Sequence, residues 1–264
     1  MKKKIALLLG IVLVMGFVAT ACGKKTSGTG ADEMVYAVEA GSAGEAAAKD
    51  KGWKYNSVTA QSDALMEVNS GTSDAAIIDL LMACAMVGEG TSYPDLKYTD
   101  KITTEEYGVG CRKGSDLASY INEVFAETYA DGSMLEIAEK YNIKDAIIEQ
   151  KDAEYTKTDD SDVEYIKDKG TLIVGITDFA PMDYKEDGEW IGLDADMAKV
   201  VAEKLGVEVQ FVEIDWDNKI MELNSKGIDV VWNGMTLTDE VKEAMECSNP
   251  YCNNAQVVVV KADK

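Results

Sequence analysis

Four polar residues stand where apolar strands are predicted to end: Ser42, Asp79, Asn233 and Thr236. In open α/β sheets, ligands bind beyond the carboxyl ends of the strands and beside helix N-termini. Hydroxyls, an amide and a carboxylate at such an edge favour the binding of a small polar molecule, and a carboxylate in a closing cleft needs a cationic partner. The alternative role for Asp79 is capping of the helix that follows it.

Composition excludes several kinds of chemistry. The 264 residues include no histidine, which excludes a histidine-based triad, relay or zinc site, and we expect neither a metal nor a cofactor. The chain has 48 acidic and 26 basic residues, a balance that argues against binding to nucleic acid. Four cysteines follow Cys22 in a spacing that fits no metal motif; we expect thiols, with a Cys247–Cys252 disulfide as the alternative.

Alternating strands and helices must position these groups. Strand 171–176 precedes the helical segment "GLDADMAKVVAEKLG", which Asp194 can cap and Gly206 ends. The strands "VEVQFV", "IDVVWN" and "QVVVV" follow, with helices near 217–225 and from Thr238 between them. This order predicts a mostly parallel sheet covered by helices on both faces.

The earlier half of the chain repeats this pattern. Strand "MVYAV" leads to the turn "EAGSAGE" and a helix, followed by a strand near 55–59, a helix capped by Ser62 and the strand "AAIID". The segments "EVNSGTSDAAIID" (67–79) and "ELNSKGIDVVWNG" (222–234) are closely similar. The sequence therefore predicts two similar α/β lobes whose facing edges form a cleft.

The chain resembles the polar amino acid family of extracellular solute-binding proteins, the capture components of ABC importers. The resemblance extends over nearly all of residues 34–143 and 163–262. It rests on "TLIVGITDFAPM", "GLDADMAKVVAEKLG", "EIDWDNKIMELNSKGIDVVWNGMTLTDE", "NPYCNNAQVVVV", "AGSAGEAAA", "SDAAIIDLL" and "EEYGVGCRKGSDL". It implies a two-lobed type II periplasmic binding protein fold.

The resemblance also implies site residues. Asp79 corresponds to the acid that holds the ligand's ammonium group, and Gly234, Met235 and Thr236 to the element that offers a carbonyl and a hydroxyl. Phe179 and Trp216 stand where rings stack on the ligand side chain, with packing in the core as the alternative.

The departures from the family pattern concern the ligand's α-carboxylate. Val241 stands where the family has a clamping arginine, and Ala43 stands where a hydroxyl is common. Arg112, the single arginine, lies in a strand motif with a structural role. Either the helix N-termini at Gly44 and Thr238, with Ser42, hold a carboxylate, or the ligand is an amine without one.

The order of the segments differs from the family, because there the segment 163–264 precedes 34–143. We therefore expect a circularly permuted chain with one lobe from 34–104, the other from 105–143 and 163–264, and an acidic linker, 144–162. Only the crossing near 98–106 is expected to remain covalent, which predicts a loose hinge. A monomer is expected, with a swapped dimer as the alternative.

The N-terminus "MKKKIALLLGIVLVMGFVATACGKK" has the pattern of a bacterial lipoprotein signal over residues 1–22, with Cys22 lipidated and 23–33 as a tether. An ordinary cleaved signal or a membrane anchor is the alternative. The protein is then expected on the outer face of the cell membrane.

The predicted function is capture of a small amine-bearing solute, most simply an amino acid or a derivative, for an ABC permease, without catalysis. A ligand sensor of the same fold is the first alternative, and genes for a permease and an ATPase nearby would discriminate the two. A cyclohexadienyl dehydratase-like enzyme is the second, but the missing arginine argues against an acidic substrate.

Overall fold

A computed structural model describes residues 33–263, so the predicted signal, Cys22 and nearly all of the tether lie outside the described residues. The first lobe is built from the early part of the chain. Its elements are β1 (Val35–Glu39), α1 (Ala43–Lys51), β2 (Lys54–Val58), α2 (Gln61–Ser70), β3 (Ala75–Asp79), α3 (Leu80–Met86) and β4 (Leu96–Lys101). These strands alternate with helices as predicted.

The second lobe begins after residue 104. Its first elements are β5 (Glu105–Cys111), α4 (Leu117–Asp131), α5 (Ser133–Lys140), α6 (Asp162–Lys169), β6 (Thr171–Ile176), β7 (Tyr184–Glu186) and β8 (Glu189–Ile191). The rest are α7 (Leu193–Leu205), β9 (Glu208–Glu213), α8 (Lys219–Asn224), β10 (Val230–Thr236), α9 (Asp239–Ala244), β11 (Glu246–Cys247) and β12 (Cys252–Asn254).

A last strand, β13 (Gln256–Lys261), lies in the first lobe. It pairs antiparallel with β3, where Val257 faces Ile78, and with β4, giving the sheet order β2-β1-β3-β13-β4. The predicted assignment of the whole segment 163–264 to the second lobe is therefore wrong for these six residues. The reason is tertiary: both neighbours of β13 lie more than 150 residues earlier in the chain, and local pattern does not reveal them.

The second sheet has the order β11-β5-β10-β6-β9, with β12 also on β5. Strands β9, β6 and β10 are parallel, whereas β5, β11 and β12 join by antiparallel pairing. The predicted α/β class is confirmed. Both sheets are mixed, because one strand in each, β13 in the first and β5 in the second, runs against the other strands.

The chain passes between the lobes twice, and both passages are covalent. One follows β4 at 102–104, and the other is Ala255 between β12 and β13. The passages bond to each other, since Ile102 N donates to Gln256 O (2.8 Å) and Gln256 N to Thr103 Oγ1 (2.8 Å). The expectation of a single covalent crossing is therefore wrong. The prediction of a loose hinge depended on that expectation, so it loses its basis.

Two predicted helix starts differ in detail. Helix α7 ends at Gly206, which has φ +75°, as predicted, but the residue before the helix is Gly192. Asp194 is buried inside the first turn, where its carboxylate accepts bonds from Gly234 N (2.7 Å) and the Tyr251 hydroxyl (2.7 Å). Helix α2 is preceded by Ala60, so Ser62 lies within the first turn rather than at the cap.

The predicted linker 144–162 lies against the second lobe. Ile148 N donates to Tyr251 O (2.9 Å), and the Tyr155 hydroxyl donates to Asp116 (2.7 Å). The linker ends in α6, whose first residue, Asp162, pairs with Arg112 (2.9 Å). Its acidic composition predicted a linker fully exposed to solvent. These contacts show instead that part of the linker packs against the surface of the second lobe.

The four cysteines within residues 33–263 are free thiols, which confirms the prediction.

Trp232 is fully buried and packs edge-on against Phe125, with ring centroids 5.7 Å apart. None of the helices within residues 33–263 has the length and the hydropathy that a membrane-spanning segment requires.

Candidate functional site

A cleft of about 290 Å³ lies between the two lobes, at the carboxyl ends of β1, β3 and β10. Eight of the nine predicted ligand-binding residues line it: Ser42, Asp79, Phe179, Trp216, Asn233, Gly234, Met235 and Thr236. The ninth, Gly44, does not. It is buried under the sheet, where an added Cβ would stand 2.9 Å from the carbonyl oxygen of Ile77.

Asp79 ends the fully buried strand β3 and is 4% exposed. Its carboxylate accepts hydrogen bonds from Tyr107 (2.7 Å) and Gln256 (2.9 Å) and from the side-chain amides of Gln61 and Asn254. Burial raises the pKa of Asp79, and these bonds act in the opposite direction. Its capping alternative is not supported, since its side chain makes no capping bond to α3.

Glu105, at the start of β5, shares two of these donors. Its Oε1 accepts from Asn254 (2.6 Å) and Gln256 (2.7 Å). Burial, together with the charge of Asp79, raises the pKa of Glu105 to about 8. Asp79 and Glu105 therefore form an acidic pair, held by amides, beside the passages that join the lobes.

Glu39 is a second acid in the cleft, and sequence reasoning missed it. It ends β1, the strand parallel to β3, and is 3% exposed. Burial, and then the charge of Asp79, raise the pKa of Glu39 to about 8, while Lys219 acts in the opposite direction. The rule that singled out Asp79, a polar residue at a strand end, also applies to Glu39.

Lys219, the first residue of α8, is buried in the cleft and was also missed. Its ammonium donates to Gly41 O (2.9 Å) and Trp216 O (3.1 Å) and lies 4.8 Å from the centre of the Trp216 ring. Burial lowers the pKa of Lys219. The sequence predicted a helix near this point, but not that its first side chain would point at the opposite lobe.

The second lobe contributes a fixed wall. The Asn233 amide donates to Thr177 O (3.0 Å) and Asp183 (2.7 Å), so its donors are used within the lobe. Gly234 has φ +55°, and an added Cβ would stand 2.4 Å from the Phe179 ring. Phe179 packs edge-on against Tyr107, with ring centroids 6.4 Å apart.

The positions that lack the family's carboxylate contacts also line the cleft. Ala43 opens α1 and Val241 lies in α9, beside Thr238. The two capping hydroxyls lie beside them, where Ser42 Oγ accepts from Glu45 N (3.1 Å) and Thr238 Oγ1 from Val241 N (3.2 Å). No arginine lines this cleft within the described part of the chain.

Acids exceed bases around the cleft. The acids are Glu39, Glu45, Asp79, Asp217 and Glu240, against Lys49 and Lys219. Lys49 is paired with Glu45 (2.9 Å). The lining therefore favours a ligand that brings positive charge.

Two α/β lobes are joined by two passages of the chain, and a small acidic cleft lies between their strand ends. This is the architecture of a two-lobed binding protein. Residues 172–264 match the family of bacterial extracellular solute-binding proteins, family 3. The predicted relationship to extracellular amino acid-binding proteins is confirmed for the segment that this match covers.

Individual relatives agree with this family. The chain is 36% identical over 96 residues to the arginine-binding extracellular protein ArtP of Bacillus subtilis (strain 168), covering 36% of this chain and 38% of that protein. It is also 36% identical over 98 residues to the L-cystine-binding protein TcyJ of Escherichia coli (strain K12), covering 36% of this chain and 37% of that protein. The chain thus matches well under half of the length of these relatives, which are named as binding proteins.

Among solved structures, the arginine-bound form of domain 1 from TmArgBP is 36% identical, covers 38% of this chain and 86% of that one, and has a TM-score of 0.33. That score is too low to support an argument about the arrangement of the lobes.

Proposed function

We propose that this protein is the substrate-binding component of an ABC importer and that its cleft captures a small polar, amine-bearing solute. The observation that carries the proposal is the acidic floor formed by Asp79 and its neighbours between two lobes. The match of residues 172–264 to a solute-binding family supports it, as do relatives named for arginine and L-cystine binding. Capture and release need no covalent chemistry, so we propose no enzymatic activity.

The ligand is an amino acid or a derivative, or an amine that lacks the α-carboxylate. Val241 and Ala43 offer a carboxylate no charge and no hydroxyl, which favours the amine. Lys219 is the nearby cation, but its ammonium already donates to two carbonyl oxygens. The ring of Trp216 and that of Phe179 then pack on the apolar part of the ligand.

A thermal-shift panel tests the binding function. The compounds are the common L-amino acids, L-cystine and the matching decarboxylated amines. A ligand at a hundred times its dissociation constant stabilises the folded state by about 2.7 kcal/mol, enough for a clear shift. Asp79→Asn should abolish the shift, whereas Asp50→Asn on the exposed end of α1 should leave it unchanged. Absence of a shift with every compound would contradict the proposal.

We further propose the placement at the membrane and the permuted order of the chain. Lipid attachment at Cys22 would tether a monomer outside the cell beside a membrane permease. Metabolic labelling with a fatty acid, lost in Cys22→Ser, tests the tether, and sedimentation tests the monomer. A reordered gene with 163–264 ahead of 34–143 should give a protein with the same ligand profile, and an unfolded product would argue against permutation.

A further inference from the structure

Glu39 differs from the other buried acid of the cleft in how its oxygens are used. The register of β1 on β3, with Tyr36 beside Ala75 and Ala37 beside Ala76, brings Glu39 and Asp79 to the same sheet edge. Asp79 accepts bonds from four side chains, whereas Oε1 of Glu39 receives none from any residue in 33–263. Glu39 lines the cleft, so a ligand there would lie beside the residue whose buried acceptor is unpaired.

The groups that face Glu39 come from several elements. Asp79 on β3 raises its pKa, while Lys219 on α8, Thr177 after β6 and Gln61 on α2 lower it. Glu45, Asp217 and Glu240 add negative charge elsewhere on the lining. Lys219 directs its ammonium to the Gly41 and Trp216 carbonyls. Burial outweighs these contributions, so with a pKa of about 8 the Glu39 carboxyl keeps its proton at neutral pH.

A cation that enters the cleft changes this balance. A positive nitrogen within hydrogen-bond distance of a carboxyl stabilises its ionised form and displaces the proton. A buried acceptor without a partner is also the group that gains most from a new donor, because its desolvation is already complete. Asp79 gains less from a new donor, since both of its oxygens already accept side-chain bonds, three on Oδ1 and one on Oδ2. Its charge acts on the cleft from the neighbouring strand.

We propose that Glu39 is the residue that accepts a hydrogen bond from the cationic nitrogen of the ligand, an amine or a guanidinium, and that it loses one proton to solvent when the ligand binds. The ligand keeps its charge, so one proton is released for each molecule bound. This inference rests on the proposed function and names the acid that selects the ligand class.

Calorimetric titration at pH 7 in two buffers of different ionisation enthalpy tests the proton release. The probes are L-arginine with agmatine and L-lysine with cadaverine, so that each pair differs only in the α-carboxylate. The wild-type protein should release about one proton per bound probe. Affinity should rise about tenfold per pH unit from pH 6 and level off near pH 8, because only the ionised acid binds.

The variant Glu39→Gln keeps the size of the side chain and removes the titration. It should weaken binding by about tenfold or more and should abolish both the proton release and the pH dependence. The matched control is Glu243→Gln, which removes an exposed acid of α9 that does not line the cleft and should change affinity by less than about threefold.

The outcomes separate the two proposals. If no probe binds the wild-type protein, the binding function fails and this inference fails with it. A probe that binds without releasing a proton, or binds Glu39→Gln as tightly as wild type, overturns the role of Glu39 and leaves the binding function standing. If Glu39→Gln does not fold, the proton count on the wild-type protein decides alone.

Discussion

The ammonium of Lys219 donates a hydrogen bond of 2.9 Å to the carbonyl oxygen of Gly41, across the cleft from the second lobe to the first. Gly41 has φ +68°, and an added Cβ there would stand 2.8 Å from Asp217, so the lobes are in close contact at this point. A charged donor on a backbone carbonyl is worth more than a neutral one, and its burial strengthens it further. This bond therefore favours the closed arrangement of the cleft.

Replacing Lys219 with methionine should loosen closure in the absence of ligand. Methionine keeps the apolar contact with Trp216 but loses the bond to Gly41 O, which favours closure by about 1–3 kcal/mol. The radius of gyration measured by small-angle X-ray scattering should increase. Lys242→Met removes one charge at an exposed position and should leave the scattering curve unchanged. Identical curves for Lys219→Met and wild type would mean that this bond does not govern closure.

Substituting Gly234 with alanine should damage the site more than substituting Gly206. Both glycines have positive φ (+55° and +75°), which costs alanine about 1–2 kcal/mol. The added Cβ at Gly234 would also stand 2.4 Å from the Phe179 ring, whereas none of the atoms around Gly206 lies within 4 Å. Urea unfolding should show the larger loss for Gly234→Ala. Equal losses would indicate that the Phe179 ring can move aside.

Removing Arg112 should destabilise the second lobe. Its guanidinium donates to Asp162 (2.9 Å) and to Ile228 O (3.0 Å) and lies 3.4 Å from the fully buried Asp229. Methionine at this position leaves Asp229 with less compensation, at a cost of about 2–3 kcal/mol in urea unfolding.

The control is Lys157→Met, which breaks an exposed pair with Glu164 (3.4 Å) and should cost less than about 0.5 kcal/mol. Equal effects of the two variants would contradict a structural role for Arg112.

The sequence predicted the elements well and the partners of the site residues poorly. Asp79 and Thr236 could be placed at the cleft because both end apolar strands, and strand ends share an edge. The side chains that donate to Asp79 could not be predicted, since Asn254 and Gln256 lie 175 and 177 residues away in the chain. The same distance explains β13: its apolar run is visible locally, but its place in the first sheet depends on tertiary pairing. Lys219 points into the cleft because of the short turn at Trp216–Asn218, which has no local signature.

Stability should fall as the pH rises from about 4.5 to 8, through the raised pKa values of Glu39 and Glu105. Both are about 8 in the folded protein against 4.5 as the ordinary value, so in this window the folded state binds more protons than the unfolded state. Each group then lowers the free energy of unfolding by up to about 1.4 kcal/mol per pH unit, and the effect levels off above pH 8.

Urea unfolding at pH 5, 6, 7 and 8 checks this, with Glu39→Gln as the variant. Because glutamine does not titrate, its stability relative to wild type should increase steadily up to pH 8. Glu45→Gln is the opposite case, since bonds from Lys49, Gly41 and Ser57 lower the pKa of Glu45 and its contribution is lost only as the pH falls. A difference between Glu39→Gln and wild type that stays constant with pH would show that Glu39 is already ionised in the cleft.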